Sequence, residues 1–157
     1  MAGVITLSKK PRVGLRVPAG RIASVLPLAG RRVDVVGHRI GLGAPTVEAL
    51  VPAIALSARI TTIKPFLEPE PFKLAAEKQL AELEVAGKIS LGARKVVRIG
   101  GRQVVGFSVR VSELAPDASL RLQAEGIGGR RRMGCGVFRR SEHALAVDAR
   151  PEKEAAE

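Results

Sequence analysis

Residues 126–138 read GIGGRRRMGCGVF, and they hold five glycines, three consecutive arginines and the only cysteine of the chain. Glycine tolerates a positive φ and lets the backbone approach a ligand closely. Arginine adds a fixed charge and a forked set of N–H donors. Such a loop can present backbone N–H and guanidinium groups to phosphate. Composition alone favours a flexible basic surface loop, so the phosphate-binding interpretation needs further support.

Two common phosphate-binding motifs do not fit this stretch. A Walker A loop requires Lys and then Ser or Thr after its last glycine, whereas Cys135 and Gly136 follow Gly134. A dinucleotide fingerprint that began at Gly126 would require glycine at Arg131 and a preceding strand. The preceding residues, LRLQAE, have a helical pattern. The loop is therefore not interpreted as a nucleotide-binding site of either kind.

The elements before the loop alternate between strand and helix. Residues 56–63 alternate as a strand does. A helix is predicted from about Pro69 to Gly87, since proline favours a first turn and glycine follows a last one. Two β-rich runs on either side of Gly100 and Gly101 predict a hairpin. The predicted core residues recur with helical or strand spacing, and they are Phe72, Ala76, Leu80 and Leu83 in the helix and Val105, Phe107, Val109 and Val111 in the hairpin.

A second helix is predicted from Pro116 to Gly126, and the residues GVF begin a last strand. The second half of the chain then has the order strand, helix, strand, strand, helix, strand, which is the order of a ferredoxin-like or RRM-like unit. In the first half, residues 13–17 are predicted as the end of a strand, RIASVLPLAG as a short helix and residues 32–40 as a strand.

We therefore predict an α+β chain with two ferredoxin-like (RRM-like) units in tandem. The first unit, residues 1–50, is incomplete, and the second, residues 51–140, is complete and contains the glycine-rich loop. Residues 141–157 are mixed in charge and rich in alanine, which predicts a frayed helix or a flexible tail.

The charge of the chain restricts its partners. Its 157 residues have a formal net charge of +11 and a pI near 11.0, which indicates binding to nucleic acid first and to an anionic membrane surface second. No apolar run is long enough for a membrane-spanning helix. With one cysteine and two histidines, we predict no disulfide, no metal site, no cofactor and a reducing cytoplasm. The scarcity of aromatic residues favours charge and backbone contacts over base stacking.

The pattern GhGxxxxxGhG, where h is apolar, resembles the CRISPR-associated repeat-RNA endoribonucleases of the RAMP superfamily. The phrases LPLAG, GHRIGLGAP, ITTIKPF, RQVVGFSVRV and SLRLQAEGIGGRRRMGCGVF are most similar to a small subgroup found in myxobacterial-type systems. The resemblance covers residues 13–138. It makes the glycine loop an RNA-binding candidate, with Gly126, Gly128, Gly129, Arg130, Arg131, Arg132, Gly134 and Gly136 as its contact residues.

The resemblance implies a prokaryotic cytoplasmic protein that binds the hairpin of CRISPR repeat RNA. Such proteins cut on the 3′ side of the hairpin without a metal ion, because the ribose 2′-OH attacks the adjacent phosphate and leaves a 2′,3′-cyclic phosphate. Many remain on the product and join the other subunits of an interference complex. We therefore expect repeat RNA and such subunits as partners, and no membrane.

Relatives begin with a further stretch that supplies the first strand and helix and the histidine that acts as general base. This chain is expected to begin after that stretch. Three explanations stay open: the start is misassigned, a partner supplies the segment, or this protein only binds RNA. A non-catalytic RNA-binding subunit is therefore the alternative to an endoribonuclease, and a basic protein of ribosomal type is a third interpretation.

Two further groups of residues are candidates for the site. His38 could act as the base that removes the 2′-OH proton, although a surface histidine in a GHR turn is the favoured interpretation. Lys9, Lys10 and Arg12 could stabilise charge on a pentavalent phosphorus, and RNA contact is the favoured role for these three residues.

Overall fold

The computed structural model describes residues 13–35, 37–99 and 101–140. The chain divides into two compact units, Met1–Ala49 and Leu50–Glu157, and each unit is described by itself. Within the described residues the helices are α1 (Ile22–Val25), α2 (Pro69–Glu82) and α3 (Pro116–Glu125), and the strands are β1 (Arg32–Val35), β2 (His38–Gly41), β3 (Ala55–Thr61), β4 (Lys88–Ile99), β5 (Arg102–Ser112) and β6 (Arg139–Arg140).

The second unit has one four-stranded sheet in the order β4-β5-β3-β6, with every neighbouring pair antiparallel. Helix α2 connects β3 to β4, and α3 connects β5 to β6. This connectivity, in which each helix crosses over one intervening strand, is that of the split β-α-β unit. The α+β class and the ferredoxin-like second unit are therefore confirmed.

The core of this unit lies between the sheet and the two helices. Phe72 of α2 and Phe107 of β5 meet there with ring centroids 4.8 Å apart and an interplanar angle of 53°, a tilted arrangement that aromatic pairs favour. Burial of each such side chain contributes about 1.5–3 kcal/mol. The predicted helical stripe is buried at its first three positions and partly buried at Leu83.

Helix α2 ends at Glu82, five residues before the predicted Gly87. Glu84 takes the left-handed conformation, with φ 52°, and the Val85 N–H donates to the Leu80 carbonyl at 2.9 Å. This geometry resembles a Schellman end, and it places the Val85 side chain in the core. Burial of Val85 therefore ends the helix earlier than the glycine preference alone predicts.

The first unit differs from its prediction in two places. Residues 13–17 form no strand, and residues 32–40 do not form one strand. The chain turns instead at Gly37, whose φ is 80° and whose N–H donates to Asp34 Oδ1 at 2.8 Å. Strands β1 and β2 pair as an antiparallel hairpin in which Val35 faces His38. No described side chain of this unit is buried.

Candidate nucleic-acid interface

The glycine loop, residues 126–138, begins where α3 ends at Glu125. Gly126 and Gly136 have φ values of 61° and 63°. A Cβ atom on Gly126 would overlap the Gly136 carbonyl oxygen, and one on Gly136 would overlap the Ile127 carbonyl oxygen. The two ends of the loop therefore approach so closely that both positions require glycine.

Hydrogen bonds attach the loop to β3 and to the residues that follow it. The Gly129 N–H donates to the Thr62 carbonyl at 2.8 Å, and Thr62 Oγ1 donates to the Gly129 carbonyl at 3.1 Å. The Gly136 N–H donates to the Ile60 carbonyl at 2.8 Å. Because these amides already have protein acceptors, the loop is anchored rather than free.

A third attachment comes from α2. Gln79 Oε1 accepts a hydrogen bond of 2.7 Å from the Gly128 N–H. A Cβ on Gly128 would lie 2.6 Å from the Thr62 carbonyl oxygen, so this glycine is also held against β3. The role of the glycines in this structure is to shape the loop, and RNA contact by their backbone stays a prediction.

The three arginines have different environments. Arg130 is half-buried in the left-handed conformation, and the next three residues form a 3₁₀ turn, Arg131–Met133. The Arg131 guanidinium donates to the Glu125 carbonyl, at the end of α3, where a cation interacts favourably with the helix dipole. Arg132 is exposed. Among the described residues, the ion pairs are Lys73–Glu77 and Arg121–Glu84, and neither involves the loop.

Cys135 is the buried centre of the loop, with 2% of its surface exposed. Burial raises the pKa of its thiol above the ordinary value, and the nearby Arg130 and Arg59 oppose that rise. The thiol therefore stays protonated at neutral pH. This agrees with a packing role and not with nucleophilic chemistry, which requires the thiolate.

The charged residues in the strands of the sheet beside the loop are all basic. Its four strands, as bounded above, contain nine Lys and Arg residues and no Asp or Glu. Within residues 50–99 and 101–140, the acidic residues lie on the helices and connections instead. The basic residues of the strands are Arg59, Lys88, Arg94, Lys95, Arg98, Arg102, Arg110, Arg139 and Arg140.

Sequence reasoning missed three residues that the structure brings to the loop. Thr62 and Gln79 fix its backbone, and Arg59 lies close enough to affect the Cys135 thiol. Gln79 is 49 positions away from Gly128 in the chain, so no local pattern points to the contact. Arg59 is the one charged residue of β3, and that isolated charge is the available signal.

The remaining predicted residues lie outside the second unit, and their roles stay predictions. His38 is exposed in β2 of the first unit, whereas the glycine loop belongs to the second. Lys9, Lys10 and Arg12 lie outside the described residues. Across residues 13–35, 37–99 and 101–140, no three His, Cys, Asp or Glu side chains are grouped as metal ligands. No helix in the described part of the chain is long and apolar enough to cross a membrane.

Comparison with known proteins supports the resemblance indicated by the glycine motif. The family model described as Cas6 Crispr matches residues 1–143. The CRISPR-associated endonuclease Cas6 of Myxococcus xanthus (strain DK1622) is 42% identical to this chain over 124 residues, which are 79% of this chain and 54% of that relative. The chain thus spans about half the length of the curated relative that it matches.

Proposed function

The chain belongs to the Cas6 family of CRISPR-associated proteins, and from this premise we propose that it binds the hairpin of CRISPR repeat RNA and takes part in processing the precursor RNA. The protein works in the prokaryotic cytoplasm. It stays on the 3′ hairpin after cleavage and joins other subunits of an interference complex.

One observation carries this proposal: the anchored glycine loop holds a basic turn beside a sheet whose strands contain nine cationic and no acidic residues. A duplex stem presents regularly spaced phosphates, and cationic side chains bind it chiefly by releasing counterions. Arg132 is exposed in this turn, and a guanidinium can pair with phosphate through two parallel hydrogen bonds. The site suits the backbone of a folded RNA.

The proposed reaction balances without a metal ion or an added reactant. A base removes the proton of the ribose 2′-OH, the oxyanion attacks the adjacent phosphorus, and the bond from phosphorus to the 5′-oxygen breaks. The departing 5′-oxygen takes up a proton, and the upstream fragment ends in a 2′,3′-cyclic phosphate. Arg130 and Arg132 would stabilise the extra negative charge on phosphorus, with Lys9, Lys10 and Arg12 as further phosphate contacts. His38 is the candidate base.

A second candidate function is a non-catalytic RNA-binding subunit. The observation that favours it is the chemistry of the loop itself. A guanidinium group offers N–H donors and no proton acceptor, and burial raises the pKa of the Cys135 thiol. Neither residue type can accept the 2′-OH proton near pH 7, so the loop binds phosphate but supplies no general base.

Incubation of the purified chain with end-labelled repeat RNA in EDTA separates the two functions. We expect one cut at the 3′ side of the hairpin, with a product whose cyclic phosphate is opened by acid treatment. His38→Ala should lower the cleavage rate and leave the dissociation constant unchanged. Tight hairpin binding without a cut would establish the non-catalytic function. Equal affinity for the hairpin and for ribosomal RNA would contradict both.

A further inference from the structure

We propose that four side chains in a transverse row, Arg139, Ser57, Arg110 and Ser90, bind the phosphodiester backbone of RNA on the helix-free face of the second unit's sheet. This basic row is separate from the glycine loop. It rests on the proposed function only for the identity of the RNA, and its own claim is that the ligand is a nucleic-acid backbone.

Strand register places the four residues in one line. Ser57 of β3 pairs with Arg139 of β6 and with Arg110 of β5, and Arg110 pairs with Ser90 of β4. Residues opposite one another in an antiparallel sheet share a face. The alternate positions Leu56, Ala58, Val109 and Val111 are buried in the core against the helices, so the basic row lies on the other face.

The row contains polar atoms whose hydrogen-bonding capacity is unused. Ser57 Oγ and Arg110 Nη1 are buried and have no hydrogen-bond partner among the described residues. Buried polar groups are nearly always paired in folded proteins. Arg110 as a whole is half-buried and Arg139 is exposed, so both side chains are partly open to solvent. An oxyanion on this face would satisfy both the hydroxyl and the guanidinium.

The charge and spacing around the basic row favour a ligand with several negative charges. None of the four strands contains a carboxylate, so no acidic side chain of the sheet neutralises the two arginines. Arg110 and Arg139 lie two strands apart, about 10 Å at ordinary strand spacing. That separation suits two phosphates along one strand better than a single phosphate.

The contact is with the backbone and not with the bases. Base stacking on a sheet requires exposed aromatic rings, whereas Phe107 is buried in the core. Serine and arginine are common partners of phosphate oxygens. The row should therefore bind RNA without preference for its sequence, and any selectivity for the repeat must arise elsewhere.

The test measures binding of the full chain to labelled repeat hairpin and to poly(U) over a series of salt concentrations. Arg110→Gln and Arg139→Gln should each weaken binding to both RNAs about tenfold and lower the slope of log affinity against log salt by about 1. Ser57→Ala should weaken binding a fewfold while the melting temperature stays the same or rises. Lys78→Gln is the matched control, since it removes one charge from the exposed surface of α2.

Unchanged affinity and slope in Arg139→Gln, whose side chain is exposed and can be replaced without disturbing the core, would overturn the basic row. So would an equal loss in Lys78→Gln, because the effect would then be one of net charge. If the wild-type chain bound poly(U) as tightly as the repeat hairpin, the proposed function would fail. Even then, the poly(U) titrations of the same variants would show whether the basic row binds a nucleic-acid backbone.

Discussion

At the scale of single residues, the three arginines of the glycine loop are not equivalent. Arg131 donates to the carbonyl of Glu125, and its aliphatic stem lies beside the close-packed glycines: a Cβ on Gly126 would be 3.7 Å from Arg131 Cδ. Arg132 is exposed and forms no ion pair within the described residues. Arg131 thus holds the loop against the end of α3, whereas Arg132 is exposed to solvent.

The first prediction separates these two roles. Arg132→Gln should weaken hairpin binding about tenfold and lower the salt slope by about 1, because one phosphate contact is lost, with no change in the free energy of unfolding. Arg131→Gln should lower the free energy of unfolding by about 1 kcal/mol, because it removes a hydrogen bond at the end of α3. Urea titration and salt-dependent RNA binding measure the two effects, and the reverse assignment would contradict the bracing role.

The second prediction concerns Cys135. Because burial raises the pKa of its thiol, alkylation of the folded chain should accelerate at higher pH than alkylation of the urea-unfolded chain. The buried, protonated thiol contributes to the free energy of unfolding. This contribution is complete below the pKa of the thiol in the unfolded chain, and it is lost as pH rises through the pKa of the thiol in the folded chain. Rapid alkylation of the folded chain at pH 7 would show that the thiol is accessible and that the loop is not packed as described.

At the scale of elements, the glycine loop depends on parts of the chain that are distant in sequence. It is fixed by residues at the end of β3 and by Gln79 of α2. A run of glycines and arginines is ordinarily mobile, and the tertiary hydrogen bonds are what make this one ordered. The pattern of glycines predicted where the loop lies, and the contacts that hold it are not visible in any local stretch.

The third prediction tests the close approach of the two loop ends by substituting two glycines of the same loop. Gly136→Ala should lower the free energy of unfolding by about 3 kcal/mol or more, because a methyl group would meet the Ile127 carbonyl at a positive φ. Gly134→Ala is the matched control. Gly134 has a φ of 81°, but no atom lies within 4 Å of the place that its methyl group would take, so only the backbone cost of about 1–2 kcal/mol remains. Equal losses in urea titrations would mean that the close approach of the loop ends is not important.

Element boundaries show what sequence patterns can predict. Helix α3 ends at Glu125 with Gly126 as its C-cap, within one residue of the prediction, because the local glycine signal and the packing agree. Helix α2 ends early, because burial of Val85 and the hydrogen bond from Arg121 to the Leu83 carbonyl at 2.9 Å act from outside the helix. The predicted single strand at residues 32–40 is a hairpin, since Asp34 and Gly37 form a turn that hydrophobic alternation does not reveal.

At the scale of the whole molecule, the net charge of +11 is distributed unevenly. Among residues 50–99 and 101–140, every charged residue in the strands is Lys or Arg, whereas the Asp and Glu residues lie on the helices and connections. Composition predicted a nucleic-acid partner, but the sorting of charge onto the sheet follows from the strand bounds and register. The order of the elements predicted the ferredoxin-like unit, and the basic row required three-dimensional pairing.

The most direct measurement of the central claim, that the glycine loop contacts the RNA stem, is site-specific crosslinking. A photoreactive p-benzoylphenylalanine in place of Met133, which is 55% exposed in the arginine turn, should crosslink to stem nucleotides of the repeat hairpin on irradiation. The same residue in place of Leu74, which is 66% exposed on α2, should give no crosslink. Crosslinking at position 74 that equals or exceeds that at position 133 would contradict the account.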